Sequence, residues 1–90
     1  MSRGYRVELE TRAKKELLAL PKDALRLLSS VIEDLMNDPR PPASKKLVGV
    51  DGCRVRKGDY RILYAIDDAK KLVRVFRIGH RRDVYRRLGR

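Results

Sequence analysis

Apolar residues follow two different periods along this chain of 90 residues. Near the start, Tyr5, Val7 and Leu9 alternate with charged residues, which is the period-2 pattern of a strand with one buried face. Between residues 13 and 36 apolar residues recur at spacings of three and four, interrupted by Pro21. This pattern predicts two amphipathic helices, which form a hairpin that must cover another apolar surface.

The second half of the chain returns to a strand-like pattern. Three runs with strand character follow one another, at residues 53–57, 60–66 and 72–78. Gly58-Asp59 and the segment 67–71 supply the turns between them, which predicts an antiparallel meander. The second and third runs are apolar at nearly every position, so we expect these strands to be covered on much of both faces.

Together these elements predict a small α+β domain with the order β-α-α-β-β-β, in which the helical hairpin packs on an antiparallel-rich twisted sheet. The Pro-rich segment 40–44 is interpreted as a connection, because too little chain lies on either side of it for a second domain. Residues 1–90 are therefore expected to form a single domain.

The charge of the chain indicates what kind of partner it binds. The net charge is +11, and the last forty residues carry 13 basic and 5 acidic side chains, against 10 and 7 in the first fifty. Arginine supplies 15 of the 23 basic residues, and its planar fork binds phosphate in two places. Such a local excess favours nucleic acid or an acidic protein as the partner.

Other partners and chemistries are disfavoured by what the chain lacks. No stretch approaches the roughly 20 apolar residues that cross a membrane, so no membrane partner is expected. The start of the chain has no apolar export signal, which predicts a cytoplasmic protein. Cys53 is the only cysteine, so an intrachain disulfide is impossible and a cysteine-based zinc site is not expected.

Period 2 also indicates which arginines share a face. Arg54 and Arg56 lie on one face of their strand, and Arg61 shares a face of the next strand with apolar residues. An arginine in such a place needs a partner, because an unpaired desolvated guanidinium is costly. Two explanations stay open: an ion pair with Asp59, Asp67 or Glu8, or a concave face that Arg61 shares with the other two arginines and that binds phosphate.

The closing stretch RIGHRRDVYRRLGR adds a histidine, a tyrosine and further arginines. A Ser-His-Asp set, a metal-ligand cluster and a Gly-rich phosphate loop are absent from the sequence, so no cofactor or metal is expected. RNA can still be cut without them, because its 2′-OH is an internal nucleophile that needs alignment, charge neutralisation and proton transfer. Convergent arginines with a tyrosine or a histidine meet these needs.

Two segments, KLVGVDGCRVRKGDYRILYAID (46–67) and RIGHRRDVYRRL (77–88), carry a resemblance that covers essentially the whole chain. With the chain length and the predicted element order, they resemble the RelE/ParE superfamily of toxins from toxin–antitoxin modules. RelE-like members cut messenger RNA in the ribosomal A site without a metal and leave a cyclic phosphate. ParE-like members share the fold but poison DNA gyrase.

The resemblance implies roles for individual residues. It matches the family's basic and phenolic positions with Arg54, Arg56, Arg61, Arg81 and Tyr85. With the histidine and the neighbouring basic residues added, we expect a catalytic group of Arg61, Arg81, Tyr85 and His80, and an RNA-binding group of Arg54, Arg56, Lys57, Arg82 and Arg86. RelE members commonly have lysine at the first two positions of the RNA-binding group. Because arginine stays protonated, Arg54 and Arg56 are better suited to hold phosphate than to act as bases. His80 stands where some members have lysine, and an imidazole is well suited to proton transfer near neutral pH.

Three functions therefore stay open. The leading hypothesis is a toxin that cleaves ribosome-bound messenger RNA, and the others are a gyrase-poisoning toxin and a basic module that binds RNA or protein without cutting. The resemblance implies a cognate antitoxin, messenger RNA and the ribosome with its 16S rRNA as partners. It also implies operator DNA, bound by the toxin–antitoxin complex through the antitoxin.

Overall fold

The computed structural model describes residues 4–80. The chain forms, in order, β1 (Arg6–Leu9), α1 (Thr11–Leu18), α2 (Lys22–Asn37), β2 (Ser44–Lys46), β3 (Cys53–Lys57), β4 (Tyr60–Asp67) and β5 (Leu72–His80). The five strands make one sheet in the order β1-β5-β4-β3-β2, in which β1 is parallel to β5 and all other neighbours are antiparallel. The predicted α+β class is confirmed.

Strand β2 was missed by the sequence prediction, which treated residues 40–44 as a connection to the first strand of the meander. Its three residues, Ser-Lys-Lys, show no alternation of apolar and polar positions. The strand exists because it pairs with β3, where Ser44 lies opposite Val55 and Lys46 opposite Cys53. An edge strand with lysines is a common way to keep a sheet edge from pairing with another chain.

Both helices bury one stripe against the same face of the sheet, which we call the helix-side face. The buried helix residues are Ala13, Leu17, Ala24, Leu28, Ile32 and Leu35, and they form a core with Val55, Ile62, Tyr64, Val73, Val75 and Ile78 of the strands. The remaining strand positions point away from the helices and form the outer face. No helix within residues 4–80 is long and apolar enough to cross a membrane.

Tyr64 is the largest fully buried side chain of this core. Its hydroxyl donates a hydrogen bond of 2.7 Å to the carbonyl of Pro39, and this bond ties β4 to the chain that follows α2. Burial raises the pKa of Tyr64 to about 12, because the charged phenolate would lose its hydration.

A two-residue turn joins β3 to β4, since Lys57 pairs with Tyr60 across Gly58 and Asp59. Gly58 has a φ of 60°, a conformation that tight hairpin turns require and that glycine adopts without steric cost. The turn brings the arginine-bearing ends of both strands together.

A β-bulge interrupts the pairing of β4 with β5. Leu63 lies opposite Arg77 and Tyr64 opposite Val75, so Phe76 is the extra residue. The bulge reverses the alternation of β5 beyond this point. As a result Val75 and Ile78, which are three residues apart, both lie in the core. Arg77 lies on the outer face, opposite Leu63.

A polar cluster closes the other end of the sheet. The Arg40 guanidinium binds both carboxylate oxygens of Asp68, at 2.9 Å and 3.3 Å, and the Tyr5 hydroxyl donates to the same carboxylate. The hydrogen bonds from Arg40 and then from Tyr5 lower the pKa of Asp68 from 3.8 to about 2. The cluster joins the start of β1, the α2–β2 connection and the β4–β5 turn.

Candidate nucleic-acid interface

The outer face carries the predicted arginines at the end of the sheet nearest the β3–β4 turn. Arg56 lies directly opposite Arg61, and Arg54 lies opposite Leu63 in the same pairing of β3 with β4. Residues that face each other across an antiparallel pair project to the same side, with Cβ atoms about 4.5–5.5 Å apart. The structure therefore places Arg54, Arg56 and Arg61 on one face, and we call these three residues the arginine cluster.

This arrangement brings positive charges close together. Like charges that face each other across a strand pair are destabilising, and Arg56 and Arg61 do so. Within residues 4–80, Arg54 and Arg56 form no ion pair, and the Nη1 atom of Arg54 is buried without a hydrogen-bond partner. A phosphate bound at this end of the outer face would offset the repulsion.

The strand carboxylates of the outer face lie away from the arginine cluster. Glu8 is opposite Arg74, and Asp67 is opposite Leu72, both towards the other end of the sheet. Charges of the two signs are therefore separated along the strands. This separation leaves the turn end of the outer face positive.

Strand β2 adds a basic residue that the sequence prediction did not include. Lys45 lies opposite Arg54, and hence on the outer face, whereas Lys46 lies opposite Cys53 on the helix-side face. Only the β2–β3 register shows that Lys45 lies on the outer face, and the polar sequence of β2 does not reveal this register.

Arg77, on the outer face beside the arginine cluster, is held by a carboxylate of α1. Only 7% of the residue is exposed, and its Nε lies 3.0 Å from Oε2 of Glu16. The other oxygen of Glu16 accepts a 2.8 Å hydrogen bond from the backbone N–H of Ile78. Glu16 thus neutralises Arg77 and fixes the end of β5 to α1, a contact that the sequence prediction missed.

Two predicted site residues stand on the other side of the sheet. Lys57 pairs with Tyr60, and Tyr60 pairs with His80, so this row belongs to the helix-side face. The rings of Tyr60 and His80 meet edge to face, with centroids 6.0 Å apart and planes at 76°. The structure does not bring Lys57 or His80 together with the arginine cluster. Arg81, Arg82, Tyr85 and Arg86 lie outside the described residues.

Side chains suited to metals are scattered over the described part of the chain, in which no group of three His, Cys, Asp or Glu residues gathers. Cys53 is a buried free thiol, and burial raises its pKa. Guanidinium groups gathered on one face are suited to binding a phosphodiester.

Comparison with known proteins identifies the family. The family model described as the ParE toxin of type II toxin–antitoxin systems, parDE, matches residues 7–85. The chain belongs to the RelE/ParE superfamily of toxins. Among curated relatives of this RelE/ParE chain, Toxin RelG of Mycobacterium tuberculosis is 38% identical and the match covers 92% of this chain and 98% of the relative. Toxin RelE of the same organism is 35% identical, with coverages of 91% and 87%.

Solved structures show the same RelE/ParE fold. A chain of the RelBE2 toxin–antitoxin complex from M. tuberculosis superposes with a TM-score of 0.77 at 32% identity, covering 87% of this chain and 99% of that chain. A chain of the archaeal RelE–RelB complex from Pyrococcus horikoshii has a TM-score of 0.77 at 29% identity, with coverages of 88% and 97%. The first of these structures is a toxin–antitoxin complex, and the second is a complex of RelE with RelB.

Proposed function

We propose that this protein is the toxin of a type II toxin–antitoxin module and that it cuts ribosome-bound messenger RNA without a metal. The observation that carries the proposal is the arginine cluster, in which Arg56 faces Arg61 and Arg54 has a buried guanidinium nitrogen without a partner in residues 4–80. A fold that tolerates facing like charges at one end of its outer sheet face is suited to an anionic substrate.

The reaction that fits this cluster is an internal transfer at phosphorus. The 2′-oxygen of the ribose attacks the adjacent phosphorus and loses its proton to a base, while the 5′-oxygen of the next nucleotide leaves and takes up a proton. The products are a 2′,3′-cyclic phosphate and a 5′-hydroxyl end. Guanidinium groups stabilise the negative charge that grows on the phosphoryl oxygens, and this electrostatic term is commonly the largest in such catalysis.

The placement of each residue suggests its role. Arg61 and Arg56 hold the scissile phosphate, because they face each other across the strand pair, and Arg54 holds the neighbouring part of the RNA backbone. In line with the family resemblance, Arg81 stabilises the transition state and Tyr85 transfers a proton. Arg82 and Arg86 supply outer contacts to RNA.

His80 and Lys57 have supporting roles in this scheme. The register of β4 and β5 directs His80 towards Tyr60 on the helix-side face, which favours Tyr85 over His80 as the proton-transfer group. Lys57 lies in the same row and contributes a longer-range attraction for RNA. Replacing His80 by alanine should therefore lower the rate far less than replacing Tyr85 by phenylalanine.

An antitoxin is the expected protein partner. Relatives with this fold were solved in toxin–antitoxin complexes, and the net charge of +11 suits an acidic segment that folds over the basic surface. In this scheme the antitoxin competes with messenger RNA and 16S rRNA for the arginine cluster. It also carries the complex to operator DNA.

A second candidate function is a toxin that poisons DNA gyrase. It is favoured by the description of the matching family model, which names the ParE toxin. The arginine cluster favours the RNA-cleaving candidate, because a gyrase-directed toxin has no need of a site for cleaving RNA. The two candidates share a fold and an antitoxin, so only an activity measurement separates them.

The test uses ribosomes programmed with a short message and measures the cleavage rate by primer extension. We expect Arg61→Gln to reduce the rate by about 10² to 10³-fold, the loss typical of one transition-state donor. The matched control is Arg74→Gln, which removes the same charge from an exposed arginine of the outer face that lies opposite Glu8.

Equal rates for Arg61→Gln and Arg74→Gln would refute the assignment of the site. Intact messenger RNA together with gyrase-dependent DNA breaks from the wild-type protein would establish the gyrase candidate. Binding of RNA with neither cleavage nor DNA breaks would leave the basic binding module.

A further inference from the structure

Lys45 is the outermost basic residue of the face that carries the arginine cluster. On edge strand β2 it lies opposite Arg54, and it is exposed. Its ammonium group makes no hydrogen bond or ion pair with other residues in the range 4–80. A lysine in this position is available to bind an anion that also reaches Arg54.

The row of residues that crosses the sheet at this level has one neutralised end and one positive end. From β2 to β5 it runs Lys45, Arg54, Leu63 and Arg77. Glu16 binds Arg77, so the charge of that end is balanced. The positive end is the pair of Lys45 and Arg54, and the partnerless Nη1 of Arg54 lies within it.

The dimensions of the sheet suit a strand of RNA. Neighbouring strands lie about 4.8 Å apart and residues rise about 3.3 Å along a strand, so Lys45 and Arg61, two strands and two residues apart, are separated by about 12 Å. This distance joins backbone positions, and two long basic side chains so placed can contact neighbouring phosphates of the same RNA backbone.

We propose that Lys45 binds a backbone phosphate of the messenger RNA outside the scissile phosphodiester, so that the RNA crosses the outer face from Arg61 past Arg54 to β2. This inference rests on the proposed function. It makes Lys45 a binding and positioning residue, which contributes equally to the ground state and the transition state of the reaction.

Strand β2 offers a matched pair of variants for the test. Lys45→Gln and Lys46→Gln remove the same charge from adjacent residues, but only Lys45 shares a face with the arginine cluster. Binding is measured with a short single-stranded RNA whose riboses are 2′-O-methylated, so that it cannot be cut, over a series of salt concentrations. Cleavage is measured with unmodified messenger RNA bound to ribosomes.

We expect Lys45→Gln to weaken RNA binding by about threefold to tenfold and to reduce the slope of log K against log salt by about 0.7, the value of one phosphate contact on a single strand. The KM for ribosome-bound message should rise by a similar factor with kcat unchanged, as for loss of uniform binding. Lys46→Gln should keep the wild-type slope, and Lys45→Arg should restore binding.

The outcomes separate this inference from the proposed function. Equal binding, slope and KM in Lys45→Gln and Lys46→Gln, with a wild-type protein that cuts messenger RNA, would overturn the role of Lys45 alone. A wild-type protein that neither binds nor cuts RNA would overturn both. A fall in kcat at constant KM in Lys45→Gln would contradict a role limited to binding.

Discussion

The contact between Glu16 and the end of β5 provides a quantitative test of how the site is supported. Glu16 accepts hydrogen bonds from Nε of Arg77 at 3.0 Å and from the N–H of Ile78 at 2.8 Å. The substitution Glu16→Ala removes both acceptors. The Arg77 side chain is only 9% exposed, so solvent replaces the lost carboxylate poorly.

The expected loss of stability follows from these two contacts. Removing one partner of a buried ion pair typically costs about 3–5 kcal/mol, and because 23% of the Glu16 side chain is exposed we take roughly 2 kcal/mol here. The Ile78 N–H adds about 1 kcal/mol for a donor that loses its acceptor. The total of about 3 kcal/mol is a large part of the roughly 5–13 kcal/mol expected for a chain of this length.

Equilibrium unfolding in urea measures this loss. With a slope of about 1.5 kcal/mol per molar, the midpoint of Glu16→Ala should fall by about 2 M without a change in slope. Glu16→Gln keeps an oxygen that can accept from Ile78 and should lose about half as much. Arg12→Ala removes only the exposed 3.5 Å contact with Glu16, and it should cost about 0.5 kcal/mol or less.

The reasoning is refuted if Glu16→Ala shifts the midpoint no more than Arg12→Ala. If the loss occurs and RNA cleavage falls as well in conditions where the variant is folded, Glu16 also positions the end of β5 for catalysis.

Three further predictions concern the fold. Asp68 has a lowered pKa of about 2, so its contribution to stability is complete above its ordinary pKa of 3.8 and is lost as the pH falls towards 2. In thermal unfolding, the difference in stability between the wild type and Asp68→Asn should therefore shrink as the pH falls over this range. Tyr64→Phe, which removes the hydrogen bond to Pro39, should cost about 1 kcal/mol in urea at neutral pH, and an unchanged midpoint would contradict this. Gly52→Ala should be destabilising in the same assay, because a Cβ would lie 2.7 Å from the carbonyl oxygen of Tyr64; a neutral effect would show that the backbone relaxes freely.

The sequence by itself determined the features that depend on local periodicity and charge. The α+β class follows from a change between helical and strand periods, and Gly58 marks the hairpin. Alternation along β3 determined that Arg54 and Arg56 share a face, because successive side chains of any strand point to opposite sides. Net charge indicated a polyanionic partner without any structure.

Only the tertiary structure decided which residues face each other. Strand β2 has no apolar pattern of its own, so its register, and with it the position of Lys45 beside Arg54, exists only through pairing with β3. The opposition of Arg56 and Arg61 is likewise a property of two strands and not of either one.

The bulge at Phe76 is the clearest case of this kind. Uninterrupted alternation along β5 would place Arg77 in the core with Val75 and would turn His80 to the face of the arginine cluster. The extra residue reverses both, so Arg77 lies on the outer face opposite Leu63 and His80 meets Tyr60. A bulge depends on how two strands pack over a common core, and the sequence of one strand does not contain that information.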